Sequence, residues 1–73
     1  MDLFDSMHIF VRVVERGSFS AVARELNMGQ PAVSKQVRAL EQYLGGPLFA
    51  RSTRHLALTD QGQRFYSHCQ EIL

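Results

Sequence analysis

The sequence contains no tryptophan, only two prolines and a single cysteine among its 73 residues. One thiol cannot close an internal disulfide, which excludes the stapled scaffolds of small secreted proteins and a thiolate cage for zinc. The three histidines, His8, His55 and His68, show no helical three- or four-residue spacing that would grip one metal ion. No apolar run approaches the roughly 20 residues that cross a bilayer. The opening Met1-Asp2-Leu3-Phe4-Asp5 lacks the basic start and small-residue cleavage site of a signal peptide. An intracellular, cytoplasmic chain with no membrane partner is therefore expected. Neither Gly-x-Ser-x-Gly nor Gly-x-x-x-x-Gly-Lys occurs, and so short a chain offers little depth for a water-excluding cleft. Catalysis is not expected, nor is a cofactor within this chain.

What is present is ordinary in amount but uneven in placement. With 45% hydrophobic and 21% charged residues the chain has the make-up of a compact globular domain. A domain this small buries only about 60% of the surface its unfolded chain would expose, so it holds one modest core. The net charge of +1 hides a division into three parts. Residues 1–27 carry Arg12, Arg16 and Arg24 against Asp2, Asp5, Glu15 and Glu25, a net of −1. Residues 28–58 carry Lys35, Arg38, Arg51 and Arg54 against Glu41 alone, a net of +3. Residues 59–73 return to −1. A basic middle between mildly acidic ends suits a fold that turns one face to a polyanion.

Periodicity gives the elements. Leu3, Met7, Phe10, Val11 and Val14 form the stripe of a first helix, which Gly17 ends. Ser18 or Ser20 then caps a short second helix with Phe19, Val22, Ala23 and Leu26 on one side. Asn27-Met28-Gly29 is a turn, and Pro31 belongs in the first turn of a third helix, where its missing N–H does no harm. Val33, Val37, Leu40 and Leu44 face the core of that helix, and Pro31, Ser34, Lys35 and Arg38 lie opposite. Gly45-Gly46-Pro47 stops it. The period then falls to about two, so residues 48–51 and 55–58 are expected to be short strands of a hairpin. Thr59 and Asp60 open a last helix with Phe65, Cys69, Ile72 and Leu73 on its apolar side. The expected fold is mainly α with a small β-hairpin, in the order α-α-α-β-β-α.

A short helix, a tight turn and a longer helix carrying polar and basic groups outward make the sequence form of a helix-turn-helix, and the hairpin makes it winged. A helix about 10–12 Å across fits the roughly 12 Å major groove of duplex DNA. The recognition helix is then about 30–44 and the wing about 48–58. The alternative use of such a fold is as a protein–protein interaction module, whose mark would be an exposed apolar patch on the third helix or wing. The sequence shows none there.

Several motifs carry a family likeness: Phe10-x-x-Val13-Val14-Glu15-x-Gly17-Ser18-Phe19-Ser20, then Leu26-Asn27-x-x-Gln30-Pro31-Ala32-Val33-Ser34. Leu40-Glu41-x-x-Leu44-Gly45, Leu48-Phe49-x-Arg51 and Leu58-Thr59-x-x-Gly62 follow. In order and spacing these resemble the N-terminal DNA-binding domain of LysR-type transcriptional regulators. The resemblance spans nearly the whole chain. It implies a bacterial regulator, with residues 1–58 as the winged helix-turn-helix and 59–73 as the start of a linker helix through which family members form homodimers. It also implies that a small-molecule inducer would bind a C-terminal domain not present in this chain. Two positions depart from the pattern: Gly29, where the family usually has Ser, and Gln61, where Ala is common and the change is expected to alter little.

The candidate DNA contacts are Gln30, Pro31, Ser34, Lys35 and Arg38 on the recognition helix, Arg51 and Arg54 at the hairpin tip, and Ser18 and Ser20 at the start of the second helix. Gln30 suits bidentate pairing with adenine and Lys35 suits guanine O6 or N7, whereas Arg38, a turn further on, suits phosphate. Pro31 either sets the helix start or meets a thymine methyl. Arg51 and Arg54 suit phosphates or a narrow minor groove. Ser18 and Ser20 suit capping, phosphate contact, or both. An apolar stripe on the last helix, with Phe4 and Ile9 left over from the first, points to a mate helix, with this chain by itself expected to be monomeric or only weakly dimeric. His8, His55, His68 and Cys69 are read as surface or packing residues, and Met7, Phe10, Phe19, Phe49 and Phe65 as core.

Overall fold

A computed structural model describes residues 2–51 and 56–73. The elements follow in the expected order: α1 (Leu3–Arg16), α2 (Phe19–Glu25), α3 (Gln30–Leu44), β1 (Phe49–Arg51), β2 (Leu56–Leu58) and α4 (Asp60–Ile72). The first three helices each stop for a local reason. Gly17 and Gly45 take the left-handed conformation at the ends of α1 and α3, and their N–H groups donate to the Val13 and Glu41 carbonyls. Between α2 and α3 the same task falls to Asn27, at φ 55°, the kind of position where asparagine is tolerated better than most side chains. The Asn27 N–H donates to Arg24 O and the Met28 N–H to Ala23 O, which closes α2 with a paired C-terminal turn.

Capping at the starts is equally local. Asp2 accepts from Asp5 N–H, Ser18 from Ala21 N–H and Thr59 from Gly62 N–H. Of the two serines considered for α2, Ser18 is the cap, and the Ser20 hydroxyl lies 3.0 Å from that of Ser18. Gly29 precedes α3 with no side chain to offer, and Pro31 occupies its first turn.

The core lies where α1, α2 and α3 meet, closed by the wing and α4. Met7, Phe10, Val13, Val22, Val33, Val37, Leu40, Leu48 and Cys69 are buried in it. Phe10 is its aromatic centre, with the rings of Phe49, Phe65 and Tyr66 at 5.4, 5.5 and 6.4 Å. These tilted and edge-on contacts suit the aromatic quadrupole. Phe19 and Phe65 are half-buried against this cluster rather than within it.

Four details depart from expectation. Val13, off the expected stripe of α1, is fully buried, because α2 and α3 both pack on α1 and widen its covered arc. Ile9 is not left over for a mate helix but is only 7% exposed, inside the same cluster. Leu26 lies one residue past α2 and is 39% exposed, so it does not complete the apolar face of that helix. The antiparallel hairpin pairs Phe49 with Leu58, Ala50 with Ala57 and Arg51 with Leu56. Leu48 is thus outside the strand, because its N–H goes to the Glu41 carboxylate and its carbonyl accepts from Thr59 N–H. His55, expected to start the second strand, lies outside the described residues.

Candidate nucleic-acid interface

The face of α3 turned from the core carries most of the expected contacts. At 100° per residue, Ser34, Arg38, Pro31 and Lys35 fall within an arc of about 100°, and Pro31 to Arg38 spans about 10 Å along the axis. Gln30, Pro31, Lys35 and Arg38 are exposed and Ser34 half-exposed, while Val33, Val37 and Leu40 point inward. Gln42 lies in the same arc and is exposed. The sequence reading passed over it, although its position seven residues after Lys35 was a usable signal. Ser18 and Ser20 are half-buried beside the start of α2. The backbone of Arg51 ends β1, whereas its side chain and all of Arg54 lie outside the described residues.

Charge on this face is unopposed. Among the described residues no carboxylate forms an ion pair with Lys35 or Arg38. Glu41, the one acid of α3, turns away: its Oε2 accepts from Leu48 N–H at 2.8 Å and from Phe49 N–H at 3.4 Å. One carboxylate therefore ties the recognition helix to the first strand of the wing, by charge-assisted bonds of the stronger kind. The first turn of α3 contains no acid, whereas α1 has Asp5 and α4 has Asp60 in theirs. The positive end of the α3 dipole is thus left without a protein anion of its own.

The wing is fixed at its base from α4 as well. Thr59 Oγ1 donates to Pro47 O at 2.7 Å, and Gln61 Nε2 donates to Leu44 O at 3.2 Å. Gln61, expected to matter little, satisfies a carbonyl at the end of α3 and overlies Gly46. Gly62 lies so close under the Leu48 carbonyl that a Cβ there would collide with it. Only glycine allows that approach.

On α1 and α2, Arg12 and Arg16 pair with Glu15 and Glu25. Arg12 grips Glu25 with Nε and Nη2, both at 2.7 Å, and reaches Glu15 at 2.6 Å, while Arg16 meets Glu25 at 3.2 Å. The hydrogen bond from Arg12 holds the Glu25 carboxyl below the usual carboxylate range, and the bond to Glu25 raises the Arg12 guanidinium further above its ordinary value. Burial pushes the Cys69 thiol up, as expected of a packing residue. Among the described residues no group of three or more His, Cys, Asp or Glu is placed to hold a metal ion, and no helix is long and apolar enough to cross a membrane.

This arrangement has known counterparts. Residues 4–63 match the family described as bacterial regulatory helix-turn-helix protein, lysR family. The chain belongs to the lysR family. It is 42% identical over its whole length to the probable HTH-type transcriptional regulator LtrA of Klebsiella pneumoniae, covering 24% of that protein. Over the same length it is 41% identical to the HTH-type transcriptional activator AaeR of Escherichia coli K12, again covering 24%. The chain thus spans about a quarter of these lysR-family relatives. Among solved structures it is similar to the BenM DNA-binding domain in complex with catB site 1 DNA, at TM-score 0.88 and 35% identity over 94% of this chain and 77% of that one. It is also similar to the CbnR DNA-binding domain in its DNA complex, at TM-score 0.87 and 36% identity over 94% and 79%. These likenesses support the winged helix-turn-helix expected from the periodicity.

Proposed function

We propose that this lysR-family chain binds double-stranded DNA sequence-specifically as part of a transcriptional regulator, without catalysis of its own. The observation that carries this reading is the outward face of α3, where Lys35 and Arg38 stand without carboxylate partners among the described residues while Glu41 is engaged with the wing. α3 enters the major groove, with Gln30, Ser34 and Lys35 at base edges, Pro31 against a thymine methyl and Arg38 on phosphate. Ser18 and Ser20 meet the backbone beside α2, Ser18 while still capping it. Arg51 and Arg54 carry the wing to phosphates or the minor groove.

The chain acts as a homodimer through α4, on an interrupted inverted repeat. Phe4, Ile72 and Leu73, all about half exposed, offer apolar surface for that association. The alternative, a protein-interaction module, finds one exposed aromatic on α3, Tyr43 at 65%. A single exposed side chain is normal and makes no patch.

Selection from random duplexes followed by sequencing tests the proposal and is expected to return a two-part inverted site. Three or four neutralised phosphates per subunit give a log–log salt slope of roughly −5 to −7 for a bound dimer. No enriched duplex, or a slope near zero, overturns the reading. Sedimentation over a concentration series is expected to show the mass rising toward a dimer, and a constant monomer mass would remove the dimer alone.

A further inference from the structure

α1 and α3 share an apolar cluster in which Met7, Phe10 and Val13 accompany Val33, Val37 and Leu40. Apolar burial is non-directional. Burial of Val33, Val37 and Leu40 sets which side of α3 turns inward, but a directional contact can hold the remaining roll more finely, and that roll decides how the outward side chains face the groove. A base contact tolerates small errors only. On a helix whose side chains reach about 5–6 Å from the axis, a 20° roll shifts their tips by about 2 Å, enough to break a hydrogen bond.

One directional contact crosses this apolar interface. Ser6, fully buried on α1, donates its hydroxyl hydrogen bond to Oε1 of Gln36 on α3, 2.8 Å away. Among the described residues it is the one side chain–side chain hydrogen bond between these helices. Gln36 follows Lys35 directly and lies at least about 100° round the helix from Ser34, Lys35 and Arg38, so it does not share their face. A serine in the interior of a helix ordinarily bonds its own backbone or points to solvent. Here the hydroxyl spans the packing surface.

We infer that Ser6 is a positioning residue for sequence readout: its hydrogen bond to Gln36 sets the rotation of α3 and thereby aims Ser34 and Lys35 at base edges. This rests on the DNA-binding reading above. Long cationic side chains can follow a phosphate through a small roll, whereas a base contact cannot. Loss of the bond therefore costs selectivity and leaves general affinity for duplexes in place. A residue that merely supported the fold would show the reverse, with a lower melting temperature and all DNA affected alike.

The test measures the ratio of affinities for the selected duplex and a scrambled one in Ser6→Ala, Gln36→Ala and the double variant, together with thermal melting and the salt slope on scrambled DNA. Either single change is expected to lower the ratio by about fivefold to thirtyfold, the scale of one spoiled base contact. The double variant should lose no more than either single. Scrambled-duplex affinity and its salt slope should stay within about twofold of the parent. If Ser6→Ala does not fold, Gln36→Ala, changed on a half-exposed side chain, carries the comparison. An unchanged ratio, losses that multiply in the double variant, or an equal fall on both duplexes overturns the inference. If the parent chain itself prefers no duplex, the DNA-binding reading has failed and takes this inference with it.

Discussion

The α1–α2 surface and the outward face of α3 both carry arginine or lysine, yet they use it in opposite ways. Arg12 and Arg16 are spent on Glu15 and Glu25, joining two helices into a closed cluster with no net charge. Lys35 and Arg38 are held on a helix whose single acid has been drawn off to the wing. The lesson is that formal charge says little until partners are assigned. Four cations contribute equally to the count, but only two of them are left to meet an external anion.

The largest effect should come from disarming the open face. Lys35→Ala with Arg38→Ala is expected to weaken binding to a selected duplex by about 100-fold or more, with Lys35→Ala alone relaxing selectivity and Arg38→Ala alone weakening every duplex. Fluorescence anisotropy on selected and scrambled duplexes measures both, and an equal loss from Arg12→Ala would erase the contrast between the two surfaces. Next in size is Glu41→Ala. It strands the N–H of fully buried Leu48, and lost charge-assisted bonds of this kind cost about 1.5–3 kcal/mol, or roughly 10 °C in Tm for a chain this short. A calorimetric Tm within about 2 °C of the parent would show that the wing does not depend on this carboxylate.

Smaller again is Arg12→Ala, whose exposed pairs are screened by solvent and salt. Tm is expected to fall by no more than about 5 °C, less in high salt, with DNA affinity within about twofold of the parent. The smallest effect is on pH dependence. Glu25 has its carboxyl lowered in the folded chain, so its contribution is present above the ordinary carboxylate value and is lost as pH falls through the folded one. Denaturation curves of the parent and Arg12→Ala should therefore converge on acidification, and a gap that does not narrow as pH falls would contradict the pairing.

Most of the architecture could be read from the chain because its signals are local. Gly17, Pro31 and Gly45 act on the backbone where they stand, and the buried faces of α1 and α3 repeat at the helical period. The outward set on α3 followed from the same period. What escaped were polar ties between residues distant in sequence: Ser6 with Gln36, Glu41 with Leu48, and Gln61 with Leu44. Nothing in a serine or glutamine announces which carbonyl or amide it will meet, because the partner is set by how helices cross rather than by spacing. Ile9 was misplaced for a related reason, since a helix covered on two sides buries more than one stripe.

The turn between the supporting helix and the reading helix includes one left-handed torsion. Asn27 turns the chain at φ 55°, and its neighbours close the end of α2 around it. Any replacement that prefers negative φ would pull against that torsion and strain the turn that leads into α3, whose buried side chains and polar ties resist the change. A residue outside the outward face of α3 thus bears on how that face is presented.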